Sequence, residues 1–405
     1  MTDLANLGSA ASALLHRLQS RGLREVGQRV ARRAAQGIVT KFHTGELDFP
    51  LLPQDICDST RLRLEPPPAV DNGAPLKLAW LCTPPGPGSG GHTTLFRMVS
   101  ALEERGHDCT LLLYNRHGID LRRQAAVIRE SWPDVRADVT SVPEAIAGYD
   151  GCIASSWDTA HVLASRGRAS TNRFYFIQDF EPFFYPRGSI YSLAEDTYRF
   201  GFHNIALGRM VSQVLKEQTG IASTEVSFGC DTNVYCDART DERKGVVFYA
   251  RQSVERRGYL LAKTALEEFH LRHPEQLIHV YGDPMDGWSI PHVHHSRLNP
   301  TSLNRLYNSC LAGLAMSFTN ISLVAEEMLA AGMTPVVNDH SYARMDLPNP
   351  DVVWAPPTPG GLVDALCRVV EERPGVHASG VRPGWAATQA AVAEIIQAEV
   401  SACKI

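Results

Sequence analysis

Short apolar runs alternate with longer amphipathic segments from residue 76 onward. The apolar runs predict buried parallel strands, and the segments with apolar residues three and four positions apart predict helices. Strands are predicted at 76–82, 109–115, 151–155, 173–178, 204–208, 245–251, 277–282, 312–318 and 334–338, and helices at 93–106, 122–132, 158–167, 257–273, 302–310, 324–332 and 385–402. The alternation indicates an α/β fold with parallel sheets covered by helices.

The segment 234–245 interrupts this alternation, because it is charged and weakly patterned. A chain of 405 residues is also too long for one ordinary hydrophobic core. We therefore predict two Rossmann-like parallel-sheet domains, at 76–240 and 241–384. A helical extension with a Pro-rich connector (1–75) precedes them, and a C-terminal helix (385–405) follows.

The composition is that of a globular chain, with 44% hydrophobic and 20% charged residues. No apolar run approaches the ~20 residues that cross a bilayer, and the first residues lack the pattern of a secretory signal. The nine cysteines contain no C-x-x-C pair, which argues for reduced thiols and against a zinc site. These features predict a cytoplasmic enzyme.

The charge is distributed unevenly along the chain. Residues 1–43 hold seven Lys and Arg against two carboxylates, a net +5, and because the whole chain carries −5 the remainder carries −10. This acidic remainder argues against nucleic acid as a partner. The apolar residues of 1–43 recur at helical spacing. The segment is therefore either a helix on an anionic membrane surface or one packed on its own domain or on a second subunit, as in a homodimer.

The stretch GPGSGG (86–91) follows the first predicted strand and fits the dinucleotide pattern G-x-G-x-x-G. The second strand, however, ends in Tyr-Asn-Arg (114–116), without the carboxylate that would hold a ribose. The prolines of the loop also cannot donate backbone N–H groups. NAD(P) is therefore not expected as a cofactor. Gly90, Gly91 and His92 are expected either to bind another phosphate at a helix start or to form a plain turn.

Basic residues follow the first strand of the second series. Arg251 ends that strand, and Arg257 lies just before the next helix. Two planar guanidinium groups beside one loop are suited to neutralise a diphosphate. Arg256 is an alternative for the same role or a solvated neighbour.

A second polar loop leads into an acidic helix further along the chain. The backbone amides of Asn320, Ser322 and Leu323 are expected to face the mouth of the sheet at the helix start. Glu327 lies one turn inside this helix, where its carboxylate can accept hydrogen bonds from vicinal hydroxyls. In the alternative, Glu326 and Glu327 only complement the helix dipole.

Residues 76–385 resemble a GT-B glycosyltransferase of the large retaining family 4, and within it the bacterial rhamnosyltransferases that build cell-surface polysaccharides. The motifs that carry the resemblance are GSGGHTT (88–94), YFIQDFEPFFYPRGS (175–189), FGCDTNVY (228–235), the R-x5-R pair and AEEMLAAGMTPVVN (325–338). The resemblance implies a GT-B fold. It also implies an acceptor on the side of the first domain and a nucleotide-sugar donor on the second.

The resemblance further implies roles for single residues. Arg251 and Arg257 match the basic pair that holds the diphosphate, and Glu327 matches the second glutamate of an E-x7-E signature, which binds the ribose. The first glutamate of that signature would fall at Thr319, and this departure fits a donor such as a 6-deoxyhexose. Transfer with net retention is implied. No metal is expected, because there is no D-x-D motif and the two arginines can supply the positive charge.

Carboxylates near the acceptor are expected in the first domain. Many family members place a histidine near the donor sugar, where this chain has Trp157 and Asp158. Asp158, Asp179 and Glu181 are alternatives for the group that approaches the acceptor. Asp179 is preferred as the catalytic residue, because it directly follows a strand and so faces the cleft. Glu181 could instead order the loop before Pro182.

The predicted activity is sugar transfer, most specifically of L-rhamnose from dTDP-rhamnose, to a glycan or lipid-linked acceptor hydroxyl. The basic segment 1–43 would bring the enzyme to lipid-linked acceptors at the inner face of the cytoplasmic membrane. Two alternatives stay open. One is a nucleotide-sugar epimerase with the same fold, and the other is a catalytically silent sugar-binding scaffold, which the missing first glutamate permits.

Overall fold

The structure is a computed structural model that describes residues 27, 31, 33, 34, 48–67, 74–238, 241–285, 287–320, 323–376 and 384–401. The chain divides into two compact units, Met1–Leu52 and Pro53–Ile405. Of residues 1–43, only four positions are described, and these are helical. The prediction of a membrane-binding helix in this segment therefore lies outside the described residues.

The second unit contains two parallel sheets. The strands of the first are β1 Lys77–Cys82, β2 Asp108–Leu113, β3 Asp138–Ser141, β4 Gly151–Ala154, β5 Asn172–Ile177, β6 His203–Leu207 and β7 Thr224–Val226. Their order across the sheet is β3-β2-β1-β4-β5-β6-β7. The central strands are buried along almost their whole length because helices cover both faces, which explains their continuous apolar runs.

The strands of the second sheet are β8 Val246–Ala250, β9 Ile278–Gly282, β10 Val293–His294, β11 Ala312–Leu314, β12 Thr334–Asn338 and β13 Val353–Ala355. Their order is β10-β9-β8-β11-β12-β13. Every predicted strand is present in one of the two sheets. The strands that were not predicted are β3, β7, β10 and β13, which lie at the four sheet edges. Edge strands are short and partly exposed, so β3, β7 and β10 lack an apolar run, and β13 is apolar but only three residues long.

The helices are α1 Gly90–Glu104, α2 Leu121–Ser131, α3 Trp157–Arg166, α4 Ser189–Asp196, α5 Arg209–Thr219, α6 Tyr259–Arg272, α7 Pro300–Ser309, α8 Leu323–Ala330, α9 Ser341–Asp346, α10 Pro359–Glu372 and α11 Ala386–Ser401. Single 3-10 turns lie at Pro53–Asp55, Glu181–Phe184, Thr197–Arg199 and Glu255–Arg257. The seven predicted helices are confirmed. The helices α4, α5, α9 and α10 were not predicted.

The predicted strand at 312–318 is too long, because β11 ends at Leu314. Beyond it the side chain of Asn338, the last residue of β12, replaces the strand ladder. Its amide oxygen accepts a hydrogen bond from the backbone N–H of Ser317 at 2.8 Å, and its amide nitrogen donates to the carbonyl of Ser317 at 2.7 Å. The chain is therefore free to turn toward the carboxyl edge of the sheet.

The C-terminal helix α11 packs against elements of the first sheet. The side chain of Gln389 donates to the carbonyl of Arg97 in α1 at 3.0 Å, and the hydroxyl of Thr388 donates to the carbonyl of Ser227, which follows β7, at 2.7 Å. The helix α11 therefore packs on the half of the unit that holds the first sheet, although it follows the second sheet in the chain.

Candidate functional site

Most loops that carry the predicted site residues leave the sheets where the strand order reverses, whereas Asp179 and Glu181 follow the neighbouring strand β5. In the first sheet β1 pairs with β2 and β4, so the loops after β1 and β4 flank a topological switch point. In the second sheet β8 pairs with β9 and β11, so the loops after β8 and β11 flank another. Open α/β sheets bind ligands at the carboxyl ends of their strands at such points.

Asp179 joins the loops of the two sheets. Its carboxylate accepts hydrogen bonds from the Thr319 hydroxyl at 2.7 Å and from the Asn320 backbone N–H at 3.3 Å. The side-chain amide of Asn320 donates to the carbonyl of Gln178 at 2.6 Å. Burial raises the pKa of the Asp179 carboxyl, while the Thr319 hydrogen bond and nearby guanidinium groups act in the opposite direction. The structure thus brings Asp179 and Thr319, predicted from separate motifs, into direct contact.

The β8–α6 connection carries three arginines, and two of them, Arg256 and Arg257, lie close enough to Asp179 to lower the pKa of its carboxyl. Arg257 donates to the Ser317 hydroxyl at 3.1 Å, and Arg251 donates to a tyrosine hydroxyl at 3.0 Å. Burial lowers the pKa of Arg256 and Arg257, and Asp179 partly offsets this. The Nε groups of Arg251 and Arg256 are buried and have no hydrogen-bond partner within the described residues. A buried donor without a partner costs free energy, and an anionic ligand that reached this loop could supply the missing acceptor.

The turn Glu255–Arg257, called the arginine turn below, runs directly into α6 through Gly258. The φ of Gly258 is +63°, and a Cβ atom here would lie 3.0 Å from the ring of Phe318. An L-residue with a side chain would be strained at this φ and would crowd that ring. The turn is also held from the first half of the unit, because the Arg256 guanidinium lies 4.0 Å above the ring of Phe184.

The stretch GPGSGG (86–91), called the glycine loop below, leads into α1, and Gly90 is the first helical residue. No atom lies within 4 Å of a Cβ built at Gly90, and only the Gln178 side chain, at 3.8 Å, approaches one at Gly91. His92 is held inside the protein. Its Nε2 donates to the Thr83 carbonyl at 3.0 Å, so its Nδ1 accepts from the Ser89 hydroxyl at 2.8 Å. Burial lowers the pKa of His92, which favours the neutral ring.

Glu327 lies near an ion pair that the sequence did not reveal. Arg97 of α1 forms a hydrogen-bonded ion pair with Asp231, which follows β7. Burial and the negative charge of Asp231 raise the pKa of Glu327 to about 7, and Arg97 acts in the opposite direction. The predicted ribose ligand is therefore a carboxyl group that titrates near neutrality.

The predicted acceptor residues lie behind the surface of the cleft. Trp157, Asp158 and Glu181 are buried. Glu181 accepts from the Trp157 backbone N–H at 2.6 Å, and Asp158 accepts from the Thr159 backbone N–H at 2.8 Å. Burial raises the pKa of Asp158, and raises that of Glu181 well above its usual value. The Trp157 indole donates to the Tyr185 hydroxyl at 3.1 Å, so it supports a residue that does reach the cleft.

A cavity of about 610 Å³ adjoins the contact between Asp179 and Thr319. Its walls include Tyr185 and Arg187, which follow β5, and Phe318 and Thr319, which follow β11. The sequence placed aromatic residues near the acceptor but did not single out these side chains. The helix α9, which completes the cavity with Tyr342, was not predicted at all.

Several expectations remain beyond what the structure describes. Ser322 lies outside the described residues, whereas Leu323 begins α8. In the part of the chain that is described, no three His, Cys, Asp or Glu side chains are grouped as a metal ion would require. No helix among these residues has both the length and the apolar character to span a membrane.

Two family models match parts of the chain. The C-terminal domain of WsaF matches residues 244–367, and the N-terminal domain of WsaF matches residues 140–209. The first match covers β8 through most of α10, including the arginine turn and Glu327. The second covers β4 through β6, including Asp179 and the aromatic residues after it.

The O-antigen biosynthesis protein RfbC of Myxococcus xanthus is 29% identical to this chain over 297 residues. The match covers 68% of this chain and 23% of that protein. The chain therefore spans about a quarter of the length of this relative.

Solved structures share the arrangement of both sheets. HepE of Anabaena, solved in complex with UDP and glucose, has a TM-score of 0.59 at 14% identity, covering 80% of this chain and 97% of that one. This chain has the GT-B fold. WaaG, a glycosyltransferase involved in lipopolysaccharide biosynthesis, has a TM-score of 0.53 at 14% identity, covering 79% of this chain and 99% of its own. The predicted GT-B fold is confirmed, and the matches together support a glycosyltransferase.

Proposed function

We propose that this GT-B protein transfers a sugar from a nucleoside diphosphate to a hydroxyl of a glycan or lipid-linked acceptor in polysaccharide biosynthesis. The WsaF domain matches and the similarity to RfbC support this class of reaction. HepE, which has the same fold, binds UDP and glucose. The donor diphosphate would lie between the arginine turn and the glycine loop, and Glu327 would hold the ribose.

The observation that carries this proposal is the set of three arginines without a carboxylate ion pair among the described residues. Arg251, Arg256 and Arg257 follow β8 at a switch point, and two of their Nε groups are buried donors without a hydrogen-bond partner in the part of the chain that the structure describes. Placing three guanidinium groups together costs free energy, and the Asp179 carboxylate offsets this only in part and only for Arg256 and Arg257. A diphosphate provides that anion and accepts hydrogen bonds from planar donors.

The chemistry follows from the same charges. When the glycosidic bond to the donor breaks, negative charge grows on the leaving diphosphate, and Arg251 and Arg257 stabilise it. Asp179, the predicted catalytic residue, would accept the proton of the acceptor hydroxyl in place of the Thr319 hydroxyl. The resemblance to retaining enzymes supports transfer with retention. Because the arginines supply the positive charge, we propose that turnover requires no metal and expect EDTA to leave it unchanged.

A thermal-shift screen tests the donor site. UDP, GDP, ADP, dTDP, NAD and NADP are added to the wild type and to Arg251→Ala. We expect one nucleoside diphosphate to raise the wild-type midpoint and to lose this effect in the variant, which would also identify the base. Stabilisation by NAD or NADP alone would contradict the proposal.

The same preparation tests the reaction with the matching nucleotide sugar. Nuclear magnetic resonance of the products distinguishes transfer to an acceptor from epimerisation of the donor, and a protein that binds the donor but forms neither product would be a scaffold. We propose L-rhamnose from dTDP-rhamnose as the donor, on the resemblance and on Thr319 in place of the first glutamate. Faster turnover of UDP-glucose than of dTDP-rhamnose would contradict this choice.

The basic segment 1–43 supports a proposal about location, that of peripheral binding to an anionic membrane. Vesicles of phosphatidylglycerol and phosphatidylcholine are sedimented with the full chain and with a chain that lacks 1–43. We expect only the full chain to sediment, and only with the anionic vesicles. Equal sedimentation of both chains would contradict the proposal.

A further inference from the structure

The cavity beside Asp179 is lined largely by aromatic side chains. Tyr185 and Tyr191 come from the segment after β5, Phe318 from the loop after β11, and Tyr342 from α9. Phe318 is 43% exposed, although large apolar side chains are usually buried. Aromatic rings combine an apolar face with polar tips, and this combination suits the face of a pyranose ring and its hydroxyls. The volume of about 610 Å³ lies within the ~300–1,000 Å³ of small-molecule sites.

The cavity also contains a cation that no carboxylate neutralises among the described residues. Arg187 is exposed, and its guanidinium lies 5.1 Å above the ring of Tyr191. A second donor is His340. Its Nδ1 accepts from the Tyr342 backbone N–H at 3.3 Å, so the neutral ring carries its proton on Nε2. A guanidinium and an imidazole N–H on the walls of one cavity can bind a phosphate or a carboxylate.

The cavity reaches the proposed reaction centre through Thr319. This residue lines the cavity, and its hydroxyl donates to the Asp179 carboxylate at 2.7 Å. A hydroxyl of a molecule in the cavity could replace that of Thr319 and donate to the same oxygen. A hydroxyl of a ligand in the cavity would therefore lie within reach of the proposed base, as the reacting hydroxyl of an acceptor must.

We propose that this cavity binds the acceptor, and that the acceptor is a carbohydrate carrying a phosphate or carboxylate group that Arg187 recognises. The inference rests on the function proposed above and specifies its acceptor. The aromatic rings bind the sugar ring and Arg187 binds the anionic group. Asp179 receives the proton of the reacting hydroxyl.

Calorimetric titration of the full chain with four probes tests this inference. The probes are methyl α-D-glucopyranoside, α-D-glucose 1-phosphate, methyl α-D-glucopyranosiduronic acid and inorganic phosphate. We expect at least one anionic glycoside to bind about tenfold or more tightly than the neutral one, since hydrogen bonds between charged groups are about twice as strong as those between neutral groups. Comparison of α-D-glucose 1-phosphate with the uronic acid shows whether the cavity recognises a phosphate or a carboxylate group.

Two variants separate the two parts of the cavity. Arg187→Gln should abolish the preference for the anionic glycoside. Phe318→Leu should lower the affinity for the neutral and the anionic glycoside by the same factor. Arg122→Gln, an exposed arginine on α2, is the matched control and should change neither affinity. Equal binding of neutral and anionic glycosides to the wild type would overturn the inference. So would a preference that persists in Arg187→Gln, or inorganic phosphate that binds as tightly as the glycosyl phosphate.

Parallel titration with the stabilising nucleoside diphosphate separates this inference from the proposed function. The acceptor inference alone would be overturned if no glycoside bound while the nucleotide bound the wild type and Arg187→Gln with equal affinity. No binding of any nucleoside diphosphate to the wild type would overturn the proposed function, and the acceptor inference with it.

Discussion

The GT-B unit has two halves, one built on each sheet, and they differ in whether the polar side chains near the carboxyl edge of the sheet have hydrogen-bond partners. In the first half, His92, Asp158 and Glu181 are hydrogen-bonded within the protein, and their charged forms are disfavoured by burial. In the second half, Arg251 and Arg256 keep buried donors without a partner in the described chain. These polar residues of the first half therefore have their partners inside the protein, whereas the two arginines of the second half keep donors for which a ligand could supply the acceptor.

Asp179 is the exception in the first half, because its hydrogen-bond donors come from the second. The bonds from Thr319 and Asn320 span more than 130 residues of sequence. A hydroxyl donor such as Thr319 is easily exchanged for that of a substrate. The comparison therefore predicts that chemistry depends on Asp179 and nucleotide affinity on the arginines.

The largest effect is expected for Asp179→Asn, which keeps the size of the side chain but cannot accept a proton. We expect turnover to fall at least ~100-fold, the usual contribution of a general base, with nucleotide affinity nearly unchanged. Steady-state kinetics and nucleotide titration measure the two quantities. Thr319→Val is the control, because it removes one hydrogen bond and leaves the carboxylate. Normal turnover of Asp179→Asn would show that Asp179 only holds together the loops after β5 and β11.

Arg257→Ala should produce the next largest effect. Loss of one charged contact to the leaving diphosphate costs on the order of 3 kcal/mol, or about 100-fold in turnover. The free protein should remain folded, because the change also removes a neighbour that repels Arg256. The matched control is Arg368→Gln, an exposed arginine on α10. Equal activity of the two variants would contradict the placement of the diphosphate.

Glu327→Gln should change how stability depends on pH. Burial raises the pKa of Glu327 from 4.5 to about 7, so the native state holds this proton more tightly than the unfolded chain. The wild type should therefore lose stability from this group as pH rises from 4.5 to 7, on the order of 3 kcal/mol, and no more above it. Urea unfolding at pH 5 and pH 8 measures this loss. Glu327→Gln should not show it, whereas the control Glu372→Gln should. Parallel pH curves for the wild type and Glu327→Gln would contradict the prediction.

The smallest effect is expected for Asp346→Ala, which weakens the contact between the halves and removes no side chain that lines the cavity. The Asp346 carboxylate at the end of α9 accepts from the first two backbone N–H groups of α5, at 2.7 and 3.0 Å. Loss of such a cap should reduce the free energy of unfolding by about 1 kcal/mol. Asp364→Ala, an exposed ion-pair residue on α10, should cost less than ~0.5 kcal/mol. Equal costs would show that the cap contributes nothing.

The sequence predicted the central strands, because strands buried on both faces must be apolar throughout. It also predicted which loops reach the carboxyl edges, since strands and helices alternate on either side of the segment 234–245. The contact between Asp179 and Thr319 was not predictable, because no local pattern records a hydrogen bond between residues 140 positions apart. The helix α10 is different. Thr358 caps it locally by accepting from Gly361 at 3.1 Å, so its start was present in the sequence and was missed.

The helix α5 shows where local sequence stops being sufficient. Its preceding Gly208 has a φ of +93°, and its first N–H groups are capped by Asp346, 137 residues away. Similarly, the sequence identified Trp157, Asp158 and Glu181 as polar or aromatic groups near a cleft, and only the structure showed that they are buried behind Tyr185. The sequence determined the fold of this protein because periodicity encodes burial. Tertiary structure decided which polar groups remain open to a ligand, because that depends on partners distant in the chain.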